Sequence, residues 1–482
     1  MENIIEPKQK QKKPIKKTHY RETICIILMI ICLGIGFASG YIIRNERQTI
    51  NNKNNGSLLL EEAYEIINEN WFNPNDNKVN IEGNSIAALV SSLGDIHSSY
   101  FTFEQSVAFN QSVEGSFEGI GVAYFSLEEG IIITKVYDNS PASQCDIKVG
   151  DIVTNVDDTA LAGKTTDDVK NLVRGTSGTS VKLTIQRDAK TFDVNVKRGS
   201  VETAVSGEIR EVAGKKFGYI KINTFGTDTK DQVEKILRTF VSEQISDLAI
   251  DLRDNGGGYL VAANDLLDLF VDEGKTMYQM QAKRGGPQKT KATKGNKYRF
   301  VNNYILVNEQ SASASEVVAG SLQELCGFKL IGSQTYGKGT AQTQKQLSDG
   351  SVLKYTYAKW LLPSGKWING EGLTPDYLVD NIDMSMISTQ AIEKELGFDS
   401  VDLRVKSLQL GLKLLGYDCK RDDGYFSSDT VEALKQFEND NHLAVDGIYN
   451  ENDKNMLISK VLIFVDDKDN DYQYNKLLEL IK

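Results

Sequence analysis

The sequence predicts a multidomain α+β protein, and three observations carry that reading: the chain length, one uncharged apolar run near the amino terminus, and changes of hydrophobic period along the rest. At 482 residues there is room for about three domains of 100–200 residues each and for a substantial core. Hydrophobic residues make up 40% and charged residues 25%, a globular balance that excludes a disordered, collagen-like or multi-span membrane chain. The expected order is a cytosolic basic tail at 1–22, a transmembrane helix at 23–43, a linker at 44–57 and a helical unit at 58–112. A β-rich module at 113–198, an α/β core at 199–390, a small all-α domain at 400–461 and a tail helix at 462–482 complete it.

The run TICIILMIICLGIGFASGYII, Thr23 to Ile43, carries no charge, and at 1.5 Å rise per residue it spans a hydrocarbon layer of roughly 30 Å. Lys8, Lys10, Lys12, Lys13, Lys16, Lys17 and Arg21 precede it. By the positive-inside rule the amino terminus stays in the cytosol and everything after about residue 44 lies outside, as a single-pass protein of the cell membrane. The rival reading is a cleaved signal peptide, since Ala38, Ser39 and Gly40 are small, which would make the body a secreted protein. The Asn-rich NERQTINNKNNGS that follows reads as a solvated linker.

Helical spacing places Leu59, Ala63, Ile66 and Ile67 on one face, and Ile86, Leu89, Val90 and Leu93 form a second apolar run. After about Gly115 the period changes to short β-branched runs such as GIGVAYF, GIIITKVY and VKLTIQR. One helix, TTDDVKNLVRG, interrupts them, with Thr165 or Thr166 as its cap and Gly175 as its end. From about Gly207, apolar strands (FGYIKI, DLAIDLR, YILVNE) alternate with helices (TKDQVEKILRTFVSE, ASEVVAGSLQEL), the signature of an α/β core. Val405, Leu408, Leu412 and Leu415 share one helix face, as do Val431, Leu434 and Phe437. Asp-Gly turns at Asp423 and Asp446, 23 residues apart, mark an internal repeat. The last stretch, YNKLLELIK, is helical and either docks on the core or stays loose.

The formal charge of −11 conceals an asymmetry, because residues 1–21 carry +5 and the remainder −16. An acidic body with no basic stripe is a poor partner for nucleic acid. Cys145, Cys326 and Cys419 are widely separated, so neither a disulfide framework nor a metal ligand set is present in the pattern, and no cofactor is expected.

Three motifs carry chemistry. NEQSASASEVVAG sets Ser311, Ser313 and Ser315 between a strand and an amphipathic helix, where a hydroxyl sits near free N–H groups, either as a cap or as a nucleophile. A serine nucleophile needs a base. His19 is cytosolic, His442 lies beside a turn in the repeat, and His97 is far in sequence from the core, which disfavours a histidine-based triad. Lysine is the alternative, since burial penalises the ammonium form and can free an amine near neutral pH. Lys338, in TYGKGTAQTQ, is flanked by Gly337 and Gly339, and in an extended chain it shares a face with Thr340 and Gln342. In DLRDNGGGYL a strand end runs into three glycines whose amides suit a developing oxyanion. A phosphate cradle is weakly supported, because neither GxGxxG nor GK[ST] is present.

SASASE, GKGTAQ and DLRDNGGG together resemble the C-terminal processing peptidases, also called tail-specific proteases, a family of serine endopeptidases. The resemblance implies Ser313 as nucleophile, Lys338 as general base and Gln342 as the residue that orients the lysine. It also implies an oxyanion hole from the amides of Ala314 and of Gly257 or Gly258. The β module resembles a PDZ domain, with FEGIGVAY as its carboxylate-binding loop, which implies that Gly119, Ile120, Gly121 and Val122 bind the carboxy terminus of a peptide by β-augmentation. In the family such binding switches the protease on, and Arg174 is the residue assigned to the contact between module and core. DGYFSSDTVEALKQFENDNHLAVDGIYNEND resembles a three-helix peptidoglycan-binding domain, implying a cell-wall tether. Gly256 stands where the family often has proline, and Ile96 and His97 stand where it often has Pro-Tyr.

The expectation is a membrane-anchored extracytoplasmic serine endopeptidase acting on proteins or peptides with a free carboxy terminus, metal-free and dimeric by resemblance. A role in signal transduction, through cleavage of a regulatory protein, is within the family's range. A catalytically silent scaffold binding peptide tails and cell wall is the alternative. A peptidoglycan hydrolase would need paired carboxylates or a metal site, and neither signature is found.

Overall fold

The structure, a computed structural model, describes residues 59–67, 69 and 80–482 except 189, 203 and 296. The expected basic tail, apolar span and linker therefore lie outside the described residues. Among the described residues no helix is long and apolar enough to cross a membrane.

The chain divides into two compact units, Met1–Ser92 and Leu93–Lys482. In the first, residues 59–67 are helical, and the helix Ile81–Ser91 starts at Asn80, whose side chain accepts from the Gly83 amide at 2.9 Å. Leu59, Ile66, Ile67 and Leu89 form the expected apolar positions but are exposed.

In the second unit the segment expected to continue the helical unit instead supplies a strand, Ser99–Phe101, and the helix Phe103–Glu114, capped by Thr102 and ended by Gly115 at φ 67°. The strand pairs antiparallel with Val352–Leu361, Ser99 opposite Lys354. Entry to and exit from the β module are closed by an antiparallel pair, Ser116–Gly119 with Gly199–Glu202. Between them lie a six-stranded antiparallel sheet and the helix Thr166–Val173. The helix is capped by Thr165, and its C-cap is Arg174, one residue before the expected Gly175.

The core is a six-stranded sheet in the order Val205–Val212, Lys215–Ile222, Asp247–Asp251, Asn302–Val307, Lys329–Gly332, Tyr377–Leu378; the first pair is antiparallel and the rest parallel. Parallel strands need both faces covered. On one face Ile220, Ile250, Ile305 and Leu330 pack with Val233 and Leu237 of the helix Thr229–Ser242 and Val317 and Val318 of the helix Ala314–Cys326. The alternate residues Phe217, Tyr219, Ala249, Leu306 and Ile331 point the other way and are covered by Tyr474, Leu477 and Ile481 of the helix Tyr472–Ile481. The tail left open by the sequence is thus the third layer of the core. A second sheet contains the hairpin Thr340–Gln346 with Val352–Leu361.

Three helices, Leu403–Leu414, Ser428–Asp440 and Glu451–Asp466, build the small domain around Val405, Leu408, Leu412, Leu434, Phe437 and Leu457. The third runs through the expected border at 461 and lays Ile458, Val461 and Leu462 against Leu127, Ile132 and Ile152 of the β module.

Candidate active site

Two strand ends and one hairpin meet at a cavity of about 760 Å³. Ser313, Lys338, Gln342, Gly256, Gly257 and Gly258 all line it. Ser313 is the N-cap of the helix Ala314–Cys326 and is held at φ 58°, ψ −116°, in the left-handed half of the map that non-glycine residues rarely enter. Its neighbours explain how that conformation is kept. The Ser311 hydroxyl donates to the Leu252 carbonyl at 2.8 Å, and the Ser315 hydroxyl donates to the Asn255 carbonyl at 2.8 Å. Both are fully buried, so the outer serines staple the turn to the glycine loop while the middle one is half-buried on the cavity wall. Ser313 thus stands at the N-cap position of the helix with its side chain on the cavity.

Sequence reasoning passed over Glu316, the last residue of SASASE. Its buried carboxylate accepts from the amides of Ser313 at 2.9 Å, Gly337 at 2.7 Å and Lys338 at 2.8 Å, and from the Thr335 hydroxyl at 2.6 Å. One side chain thus ties the serine turn to the lysine turn. Burial raises its carboxyl above the ordinary value, and those four hydrogen bonds pull it back. Acidic character three residues past a helix start is the ordinary signal of a capping box, which is why the motif hid its second role.

Lys338 is half-buried, and its amine is pushed below the ordinary lysine value, first by burial and then by the Lys354 charge, while Asp95 and Glu316 oppose the shift. Gln342 faces the same cavity, but its amide nitrogen donates to the Thr340 hydroxyl at 3.1 Å and the Thr356 hydroxyl at 3.0 Å. His97, remote from the core in sequence, is brought close by the pairing of Ser99–Phe101 with Val352–Leu361. Burial, and then the Lys338 charge, lower its pKa. The Lys338 charge thus disfavours the imidazolium form of His97.

The structure distinguishes the two loop glycines. The Gly257 amide donates to the Asn255 side-chain oxygen at 2.9 Å, so its N–H is engaged. Gly258 pairs with Phe225 through its neighbours, the Phe225 amide to the Gly257 carbonyl at 3.0 Å and the Tyr259 amide to the Phe225 carbonyl at 2.8 Å. Among the described residues the amides of Gly258 and Ala314 have no acceptor. Gly257, at φ 109°, has no room for a side chain, since a Cβ would stand 2.9 Å from both the Ala312 carbonyl oxygen and the Ser313 Cβ. At Gly256, by contrast, a Cβ would meet nothing within 4 Å. Asn255, also missed, is the hub of the loop: fully buried, it donates to the Ile222 carbonyl at 2.8 Å and its own carbonyl takes the Ala312 amide at 3.0 Å.

In the β module a second cavity of about 210 Å³ gathers Gly119, Ile120, Gly121 and Val122 with Phe117, Tyr124, Val173, Lys170 and Arg174. Arg174 lies in this cavity, its guanidinium 5.2 Å from the centre of the Phe117 ring. Lys135 does bridge module and core, its amine donating to the Asn223 side chain, on the wall of the larger cavity, at 3.2 Å.

Residues 216–379 match the model of peptidase family S41, residues 119–197 that of the PDZ domain, and residues 402–457 that of a peptidoglycan binding domain. A "Probable CtpA-like serine protease" of Staphylococcus epidermidis is 32% identical over 97% of this chain and 94% of its own. One of Staphylococcus aureus, described in the same words, is 31% identical over 100% of this chain and 97% of its own. Among solved structures, a photosystem II D1 C-terminal processing protease is 25% identical, covering 64% of this chain and 83% of its own, with a TM-score of 0.43.

Proposed function

The chain belongs to the CtpA-like serine peptidases of family S41, and from that premise we propose that it cleaves proteins with a Ser313–Lys338 dyad. Neutral Lys338 takes the Ser313 proton as Oγ attacks the scissile carbonyl carbon, and the tetrahedral oxyanion is met by the Ala314 and Gly258 amides. Collapse expels the amine, which receives its proton from Lys338, and water then hydrolyses the acyl-enzyme by the reverse proton path. Gln342 has its amide nitrogen engaged by two hydroxyls, which leaves its carbonyl oxygen as the group to orient the Lys338 amine. The observation that carries this reading is Glu316, whose single carboxylate holds the Ser313 and Lys338 amides on one cavity.

The glycine loop of the PDZ domain, with Lys170 and Arg174 beside it, suits the carboxylate of a peptide carboxy terminus. Occupancy there regulates cleavage by shifting the module against the core across the Lys135–Asn223 contact. The carboxy-terminal domain holds the enzyme at peptidoglycan, and the apolar run at 23–43 anchors it in the membrane with the catalytic part outside. The exposed apolar positions Leu59, Ile66, Ile67 and Leu89 are the surface through which two copies pair.

The test is cleavage of casein by the full chain in detergent, with and without a peptide ending in an apolar residue. Ser313→Ala should abolish turnover, and Lys338→Ala should lower kcat by at least about a hundredfold, with both variants melting as the wild type does. Activity surviving Ser313→Ala would remove the assignment; an inactive wild type under all conditions would favour a peptide-binding scaffold.

A further inference from the structure

The glycine loop is held from behind by a charge cluster that reaches into the carboxy-terminal helix. Arg253 opens the loop, and its guanidinium is largely buried, the side chain 11% exposed. One edge makes a forked pair with Asp251, Nε to Oδ1 at 3.0 Å and Nη2 to Oδ2 at 2.8 Å. The remaining nitrogen, Nη1, points to Asp471, at 2.7 and 2.8 Å from its two oxygens. Lys221 completes the cluster, its amine 3.2 Å from Asp251 and donating to the Arg253 carbonyl at 2.9 Å. The four charges sum to zero only when Asp471 is counted. Burial alone would raise the Asp251 carboxyl, but the facing Arg253 and Lys221 charges outweigh it and hold it well below the carboxylate range.

Asp471 is a long way along the chain, at the start of the helix Tyr472–Ile481, where its Oδ1 also accepts the Tyr474 amide at 3.0 Å. Without it, a buried guanidinium loses one of its two anionic partners and a hydrogen-bonded edge, and the cluster keeps an uncompensated positive charge. The residues that would move with Arg253 are Asn255, which pins the serine turn through the Ala312 amide and the Ser315 hydroxyl, and Gly258, which lines the cavity.

We infer that Asp471 is a positioning residue for the peptidase reaction: acting through Arg253, it holds the oxyanion loop in register with Ser313, so that the carboxy-terminal helix is a working part of the catalytic apparatus. The inference rests on the reading of Ser313 as nucleophile and of the glycine loop as the oxyanion site.

Asp471→Asn is the informative change, because asparagine caps a helix as well as aspartate does while it removes the charge and one of the two oxygens that accept from Arg253. The full chain in detergent is assayed for kcat and KM on casein and for the rate of covalent labelling by a fluorophosphonate. Expected are a fall of about tenfold in kcat and in labelling rate, equal to about 1.4 kcal/mol of barrier, with KM within about twofold, beside a lowered melting temperature because the buried guanidinium is left undercompensated. Asp471→Glu should recover part of the loss, and Glu479→Gln, on the exposed side of the same helix, should change nothing. Wild-type kcat and labelling in Asp471→Asn would overturn the inference, as would a loss confined to KM or to the melting temperature. Should Asp471→Asn fail to fold, Asp471→Glu takes its place in the same measurements: a smaller fall in kcat and labelling, with KM kept, supports the inference, and wild-type values of both overturn it. A Ser313→Ala variant run alongside separates the two levels: if it still cleaves, the nucleophile reading fails and this inference with it; if it is dead while Asp471→Asn is normal, only the inference fails.

Discussion

Around Lys338 four charged or titratable groups compete, and their signs make the pH dependence of the enzyme predictable. Burial and Lys354 depress the amine, while Asp95 and Glu316 support its charged form. Lys354 is itself depressed by burial and supported by Asp95, and His97 is lowered by burial and by Lys338. A base acts only when unprotonated, so kcat/KM should rise with pH through the Lys338 pKa, below the ordinary lysine value. Lys354→Met removes a repelling charge, raises that pKa and should move the rise to higher pH. Asp95→Asn removes a supporting charge, lowers it, and should move the rise to lower pH. Shifts of about half to one unit in opposite directions are expected from single charges in a partly hydrated site. They are read from kcat/KM profiles of the two variants between about pH 6 and 10; profiles that coincide with wild type would mean that Lys338 is not the titrating base.

The helix Glu451–Asp466 supplies a second pH-sensitive feature. Asp453 sits in its first turn, 1% exposed, and accepts the Asn450 amide at 2.9 Å as half of a capping box. Burial pushes its carboxyl up to about 7, with Glu438 and Asp446 adding to the shift. A carboxyl raised on folding favours the native state while it is protonated, so its contribution is complete below its unfolded value near 4 and is lost as pH climbs through about 7. Asp453→Asn keeps an acceptor for the cap and cannot ionise. It should therefore leave the melting of the carboxy-terminal domain unchanged near pH 3.5 and raise it by about 5 °C or more at about pH 8, measured by calorimetry on the full chain. Equal melting of both proteins at the higher pH would show that Asp453 ionises without cost. At this scale one also sees what was readable in the sequence. Strand-to-helix junctions and the glycine-rich turns were, because each is signalled by local period and composition, whereas Ser313 and Lys338 stood out from an ordinary cap and an ordinary turn only through the resemblance of SASASE, GKGTAQ and DLRDNGGG to a known family. Ser99–Phe101 was not, since a three-residue strand has no period of its own and exists through Val352–Leu361. Nor was the role of YNKLLELIK, whose Tyr474, Leu477 and Ile481 make a helix stripe in sequence but find their partner only once Phe217, Tyr219 and Leu306 share a sheet face. Gly257 and Gly258 were indistinguishable because amide direction depends on φ and on Asn255, neither of which is written in the letters GGG. Glu316 and Asp471 act across the fold, and nothing next to either in the chain marks what it will touch.

Across the whole second unit, the PDZ domain is gripped from two sides. Lys135 reaches the cavity wall at Asn223, and on the other side the helix Glu451–Asp466 packs Ile458, Val461 and Leu462 on Leu127, Ile132 and Ile152. Polar contacts fix the register of that packing: the Ser459 hydroxyl donates to the Gly150 carbonyl at 2.7 Å, and Lys460 pairs with Asp188 at 2.7 Å. The fit needs glycine at 150, at φ 88°, because a Cβ would stand 2.8 Å from the Ser459 hydroxyl. If a bound peptide regulates cleavage by shifting the module, it must work against this helix, and the helix therefore sets the resting level. Truncating two buried aliphatic side chains costs about 2–5 kcal/mol each in a packed core and less at a domain border that relaxes. Ile458→Ser with Val461→Ser should thus shift the docking equilibrium by more than about tenfold. The expected outcome is a several-fold rise in casein cleavage without peptide and a smaller further gain on adding an apolar-ended peptide. Fluorescent-casein assays of wild type and the double variant, each with and without peptide, decide the matter. An unchanged basal rate with full stimulation retained would mean that the module moves without leaving the helix, and that control resides at the Lys135–Asn223 side alone.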